Sequence, residues 1–223
     1  MTYTLAIADR IYSSWSLRGW LLFEKFGLDV TIRTARMRQP EFAAMLADFG
    51  PARLVPAMLV DDVPVWDTLA MAETLAERHP DKGFWPKDPA ARALARSLTA
   101  EMHSGHTALR GACPMNLRHR YDGFEPSDAV LADIARIEVL WKTAKSTGID
   151  GPWLFGDYSI ADVFYAPVAT RIATYGLPVG PDAQAYVDAH LNDPALQKWR
   201  EAGLAENYVQ PGYDLELPTL PWP

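Results

Sequence analysis

The sequence predicts an α/β domain of order βαβαββα followed by an all-helical bundle. Three observations carry this expectation. Short β-branched or apolar runs alternate with helical runs up to residue 80. The composition changes over residues 79–89, where prolines, Gly83 and several charges mark a connection between domains. Beyond that point apolar residues recur at helical spacing and no run reads as a strand.

In order, residues 3–8 form an apolar strand, and 17–26 form a helix that Gly27 ends as a C-cap would. Residues 30–34 are β-branched and extended, and 39–48 form a weaker helix with Pro40 in its first turn. Residues 57–60 and 63–66 are two short strands. They are joined at Asp61-Asp62, a two-residue hairpin loop without the favoured glycine. Residues 68–78 make a third helix. The expected units are therefore an α/β domain over 1–80, a linker over 81–88, helices over 89–206 and a proline-rich extended tail over 207–223. Within the helical half, 90–109 reads as one long helix and 128–146 as an amphipathic one. Residues 159–175 form a nearly all-apolar central helix, and 186–191 and 194–202 complete the bundle.

The chain has 223 residues, 49% of them hydrophobic and 22% charged, enough apolar surface for a substantial core. A net charge of −7 without clusters of Lys and Arg argues against nucleic acid as a partner. Cys113 is the only cysteine, so no intramolecular disulfide forms, which fits a reducing compartment. The N-terminus lacks the pattern of a signal peptide, and no apolar run approaches the roughly 20 residues that span a bilayer. A cytoplasmic protein without membrane association is expected.

Four motifs bear on chemistry. Ser13 and Ser16 stand where a dithiol redox motif would carry cysteines. A hydroxyl there cannot exchange disulfides, so a thiol–disulfide reductase is disfavoured. It either caps the helix or hydrogen-bonds a ligand's thiolate, which the helix N-terminus also favours. Val55-Pro56 opens a strand, and its peptide bond is either trans or cis. If cis, the Val55 main chain faces outward, free to pair with an extended peptide. Asp67-Thr68 begins the third helix, as a plain cap or as a seat for an amino-acid head group. Ser159-Ile160-Ala161-Asp162 has capping-box spacing and is read as a folding element. His103 and His106 lie one turn apart without a third ligand, so no metal is expected; the face either lines a cleft or meets solvent. Arg110 and Asn116 could share that cleft. Cys113 reads as a small core residue.

Taken in order, these signals resemble the cytosolic glutathione S-transferases over roughly residues 3–203. The run Ser13-Ser14-Trp15-Ser16-Leu17-Arg18 is similar to the serine-using classes, zeta and tau in particular. Aligned on Arg18, the resemblance puts Ser13 on the catalytic serine, with Ser14 the second choice. Phe49 to Leu59 resembles the family's Asn-Pro-x-Gly-x-Val-Pro-x-Leu segment, with Arg53 in place of a usual glycine. Asp67-Thr68 falls on its Glu-Ser or Gln-Ser pair, and Trp15 stands where zeta enzymes carry cysteine.

The resemblance implies a thioredoxin-like first domain, a homodimer and glutathione as co-substrate. Arg53, Val55, Pro56, Asp67 and Thr68 would bind it, and Met102, His106 and Arg110 would face the second substrate. The implied reaction is addition of the glutathione thiolate to a small hydrophobic electrophile. Alternatives are a glutathione-dependent isomerase or dehalogenase, or a ligand-binding stress protein with little turnover. Arg18 is expected in an ion pair inside the first domain.

Overall fold

A computed structural model describes all residues 1–223. The first part contains β1 (Tyr3–Ile7), α1 (Ser14–Glu24), β2 (Thr31–Thr34), α2 (Pro40–Leu46), β3 (Ala57–Val60), β4 (Val63–Trp66) and α3 (Thr68–Arg78). The sheet runs in the order β2-β1-β3-β4, with β1 parallel to β2 and the other pairs antiparallel. Pro64 sits on the edge strand, where its missing N–H is tolerated. Leu5 and Ile7 join the main core with α1 and α3. Ala6 and Ala57, paired across β1 and β3, face Met45, Leu46 and Phe49 in a small second core on the other side of the sheet. The β3–β4 hairpin turns at Asp61 and Asp62, both at positive φ (47° and 67°), a conformation aspartate tolerates. The Thr2 N–H donates to Asp61 Oδ1 at 2.7 Å and helps hold the turn.

The second part contains α4 (Pro89–Ser104), α5 (Thr107–Ala112), β5 (His119–Tyr121), α6 (Asp128–Lys145), α7 (Ile160–Tyr175), α8 (Pro181–Leu191), α9 (Pro194–Ala205) and β6 (Thr219–Pro221). Helix α7 is buried on nearly every side, as an all-apolar helix should be. Ser159 and Asp162 form its capping box. The connection before α4 is itself packed: Phe84 stacks on Phe26 with ring centroids 3.9 Å apart. One continuous core runs through both parts.

Four expectations are corrected. The helix expected over 90–109 breaks at Gly105 and His106. His106 adopts the left-handed conformation (φ 54°, ψ 43°), and Asp133 of α6 accepts the Leu109 N–H at 2.9 Å at the start of α5. Strands do occur after the linker, because the proline-rich tail folds back and β6 pairs antiparallel with β5. Helix α1 begins at Ser14, three residues before the expected start at Leu17, because Ser13 caps it. Arg18 makes no ion pair: its Nε donates to the Phe164 carbonyl of α7 at 2.9 Å, and its guanidinium lies 4.4 Å from the Trp15 ring centroid. It therefore ties the two parts together. No helix is long and apolar enough to cross a membrane.

Candidate active site

Two adjoining clefts open where the sheet part meets α4 and α5. The first, about 470 Å³, is lined by Arg53, Val55, Pro56, Trp66, Asp67, Thr68, His103 and Arg110, among others. The second, about 570 Å³, is lined by Tyr12, Ser13, Ser14, Arg38, Thr107, Arg110, Arg171 and Tyr213, among others. Trp15, Leu54, Val55 and Arg110 line both, so the two are continuous.

In the first cleft the Val55-Pro56 bond is cis, and Val55 precedes the pairing of β3, which begins at Ala57. Helix α1 comes so close behind Pro56 that only glycine fits at position 19: a Cβ there would lie 2.6 Å from Pro56 Cβ. Gly19→Ala should therefore push this segment out of place. The overpacking costs about 1–3 kcal/mol and outweighs the ~1 kcal/mol gain in helix propensity. A lower thermal midpoint is the expected result; an unchanged or higher one would contradict this packing. Asp67 has φ 71° and caps α3, its Oδ1 accepting the Leu69 N–H at 2.8 Å. Its Oδ2 lies 3.1 Å from His103 Nε2. Thr68 is buried behind it.

The hydroxyls at the start of α1 differ in their partners. Ser13 Oγ accepts the Ser16 N–H at 3.2 Å and donates to Ser16 Oγ at 2.8 Å, while Ser16 Oγ accepts the Ala8 N–H at 2.9 Å. Ser14 Oγ accepts from Arg171 Nη2 at 3.3 Å. Arg171 is buried on α7, where its Nε donates to the Cys113 carbonyl (2.8 Å) and its Nη1 to the Pro167 carbonyl (3.1 Å). Burial, with Arg110 nearby, pushes its pKa down to about 10. Arg38, Arg110 and Arg171 line the second cleft, and no Asp or Glu does. The tail supplies one wall: Tyr213 packs edge-on against Tyr12, with centroids 5.3 Å apart, and Asp214 accepts from Asn116 Nδ2 at 2.6 Å.

The structure thus brings Ser13, Ser14, Arg53, Val55, Pro56, Asp67, Thr68 and Arg110 to one continuous cleft. It does not bring Met102 or His106 there. Met102 is fully buried in the core beneath α4. His106 turns inward, its Nδ1 3.8 Å from Asp133 Oδ1, and burial lowers its pKa. Of the histidine pair, His103 is the one that reaches the cleft. Cys113 is buried, and burial raises its thiol pKa to about 12. No three His, Cys, Asp or Glu side chains gather as a metal site. Arg38, Arg171 and Tyr213 line the cleft without any sequence motif that marks them as site residues, whereas His103 takes the cleft-lining alternative open to the histidine face. The legible signal for Arg171 was a lone charge late in an apolar helix.

A thioredoxin-like sheet followed by a helical part, with a cleft between them that opens on a helix N-terminus, is the architecture of a glutathione transferase. Residues 12–78 match the N-terminal domain family of glutathione S-transferases. The chain is 27% identical over 194 residues to a probable maleylacetoacetate isomerase of Caenorhabditis elegans, covering 79% of this chain and 87% of that one. It is 25% identical over 172 residues to the maleylacetoacetate isomerase of Mus musculus, covering 75% and 77%. Among solved structures it is similar to a glutathione transferase homolog from Burkholderia with bound glutathione, at 25% identity and a TM-score of 0.67, covering 92% of this chain and all of that one. It also shares the fold of a glutathione transferase Omega 3C from Trametes versicolor, at 18% identity and a TM-score of 0.67, covering 90% and 88%. Residues 12–78 thus carry the N-terminal domain of the glutathione S-transferase family, and the relatives and structural neighbours that extend along the rest of the chain support a cytosolic member of that family.

Proposed function

We propose that this enzyme binds glutathione in the first cleft and presents its thiolate to a small electrophile in the second. The observation that supports this most strongly is the continuity of the two clefts across the N-terminus of α1. The Asp67 carboxylate would pair with the γ-glutamyl ammonium, and the first turn of α3 at Thr68 would take the neighbouring carboxylate. The Val55 main chain would pair with the cysteinyl unit. Arg53, exposed at the rim, would meet the other carboxylate end. The sulfur would then lie at the start of α1, where the helix N-terminus favours its anionic form.

A second reading, a glutathione-dependent isomerase, is favoured by the cleft's three arginines and by the names of the two curated relatives. In that reaction the thiolate adds to an activated cis double bond, the resulting single bond rotates, and elimination restores both the double bond and glutathione. The arginines also favour an electrophile bearing a carboxylate over a purely hydrophobic one. A homodimer in the cytoplasm is the expected assembly and compartment; the exposed Val63 and Trp66 on edge strand β4 support a second copy of the chain.

The test is a glutathione-turnover assay on an electrophile panel that includes maleylacetoacetate. A thioether product supports the transferase. Isomerised product with glutathione recovered supports the isomerase. Glutathione binding without turnover on any electrophile would overturn both in favour of a ligand-binding protein.

A further inference from the structure

We propose that His103, reaching from α4 into the first cleft, is a positioning residue for glutathione: it holds the Asp67 carboxylate where the γ-glutamyl ammonium meets it. This inference rests on the glutathione reading above and adds to it a residue of the helical part.

Asp67 is the only carboxylate that lines the first cleft. Its backbone stands at φ 71°, in the left-handed region that a non-glycine residue enters at a cost. Its Oδ1 caps α3 by accepting the Leu69 N–H, which leaves Oδ2 as the oxygen open to a cation. The Leu69 N–H is the only hydrogen bond its side chain makes within the sheet part, and half of that side chain is exposed. The torsion that aims a carboxylate is soft, so one bond does not fix where Oδ2 points.

His103 supplies the second hold. Its Nε2 lies 3.1 Å from Asp67 Oδ2. The ring is wedged between Trp15 of α1, with centroids 5.2 Å apart, and Phe164 of α7, at 6.0 Å. These contacts fix the direction of the ring. Its surroundings also place its hydrogen: Nδ1 is buried without a partner and Nε2 faces an anion, so the neutral ring carries the hydrogen on Nε2 and donates it to Oδ2. A carboxylate oxygen has two lone pairs, so Oδ2 accepts this bond and keeps one for an ammonium.

The neighbouring charges make that aim matter. Arg53 and Arg110 line the same cleft, Arg110 Nη1 donates to the His103 carbonyl at 3.3 Å, and Arg18 and Arg110 both lie over the Trp15 ring. With guanidiniums at hand to compete for the one carboxylate, its orientation decides whether the ammonium finds it. The hold also crosses the chain: Asp67 begins α3 of the sheet part, and His103 lies in the last turn of α4. The glutathione cleft is therefore complete only with the helical part in place.

Calorimetry with two ligands tests the proposal: glutathione, and its analogue lacking the α-amino group. The proteins are wild type, His103→Phe, His103→Gln and His103→Asn, each checked for folding by its thermal midpoint. His103→Phe keeps a ring between Trp15 and Phe164 but has no donor. It should bind glutathione about tenfold more weakly, the size of one hydrogen bond to a charged group. His103→Gln places an amide N–H where Nε2 stood and should stay within about threefold of wild type; His103→Asn places it where Nδ1 stood and should lose as much as His103→Phe. Toward the deaminated analogue all four proteins should agree within about twofold, because the group that Asp67 is held for is gone. A merely structural role would weaken both ligands alike. Wild-type affinity for glutathione in His103→Phe, or an equal loss toward both ligands, overturns the proposal while leaving glutathione binding standing. Where His103→Phe does not fold, equal glutathione affinity in His103→Gln and His103→Asn overturns it. A wild type that binds the two ligands equally overturns the Asp67–ammonium pair together with this proposal, and one that binds neither overturns the functional reading as well.

Discussion

Replacing Asp162 with alanine is expected to destabilise the protein by about 4 kcal/mol, a large share of the 5–15 kcal/mol that holds a typical domain folded. The side chain is fully buried, and its two oxygens accept four hydrogen bonds. Oδ1 takes the Leu154 N–H at 3.0 Å and the Tyr186 hydroxyl at 2.8 Å; Oδ2 takes the Ser159 N–H at 2.9 Å and the Ser159 hydroxyl at 3.0 Å. Burial raises the Asp162 pKa, while the four donors pull it back. Alanine would strand two buried backbone N–H groups, each costing about 1–3 kcal/mol, and would remove the capping box that starts α7. Because α7 is the centre of the helical part and holds Arg171, the damage should spread to the cleft. For a chain of this length the loss corresponds to a fall of roughly 8–16 °C in thermal midpoint. Asp162→Asn should fall between the two, since one amide nitrogen would face donors it cannot pair with. A midpoint within about 3 °C of wild type for Asp162→Ala would contradict this account.

The second large effect is on the response to acid. His190 is fully buried among Trp153, Tyr158 and Tyr186, and burial, with Lys25 nearby, lowers its pKa to about 3. The unfolded chain protonates this histidine near 6.5, whereas the folded chain keeps it neutral. Its contribution is therefore present above pH 6.5 and is lost as pH falls toward 3, at about 1.4 kcal/mol per pH unit. Urea unfolding should show wild type losing about 2 kcal/mol between pH 7 and pH 5 from this group. His106 and His119, whose pKa values burial also lowers, remain in both proteins. His190→Phe keeps the aromatic packing and removes only this term, so its loss over the same interval should be smaller by about 2 kcal/mol. Equal losses in the two proteins would show that His190 does not govern the acid response.

Much of the fold can be read from local chemistry. The alternating strands, the Asp61-Asp62 turn, the cap at Asp67 and the box at Ser159 are decided within a few residues, and the structure keeps them where the pattern puts them. What local pattern misses depends on partners far along the chain. The break at His106 is held through the Leu109 N–H, which donates to Asp133, 24 residues further along the chain. Strand β5 forms because the tail returns about 100 residues later to pair with it. Arg18 looked like half of an ion pair, but its partner is a carbonyl 146 residues away, which no charge pattern signals. The same holds at the site. Ser13, Val55, Asp67 and Thr68 carry their own turn and cap signatures. Arg171 reaches Ser14 only because α7 packs against α1. Met102 and His106 are expected at the cleft from the family resemblance, but Met102 lies on the buried face of α4 and the left-handed turn at His106 points that side chain inward.

Calorimetric titration of glutathione into wild type and Asp67→Asn decides whether the cleft between the sheet and α4 is a glutathione site. Asparagine can still cap α3 but cannot pair with the γ-glutamyl ammonium. Saturable binding at one site per chain, weakened about tenfold or more by Asp67→Asn, is the predicted result; that factor corresponds to about 1.4 kcal/mol. No heat of binding in wild type, or equal affinity in the two proteins, would contradict it.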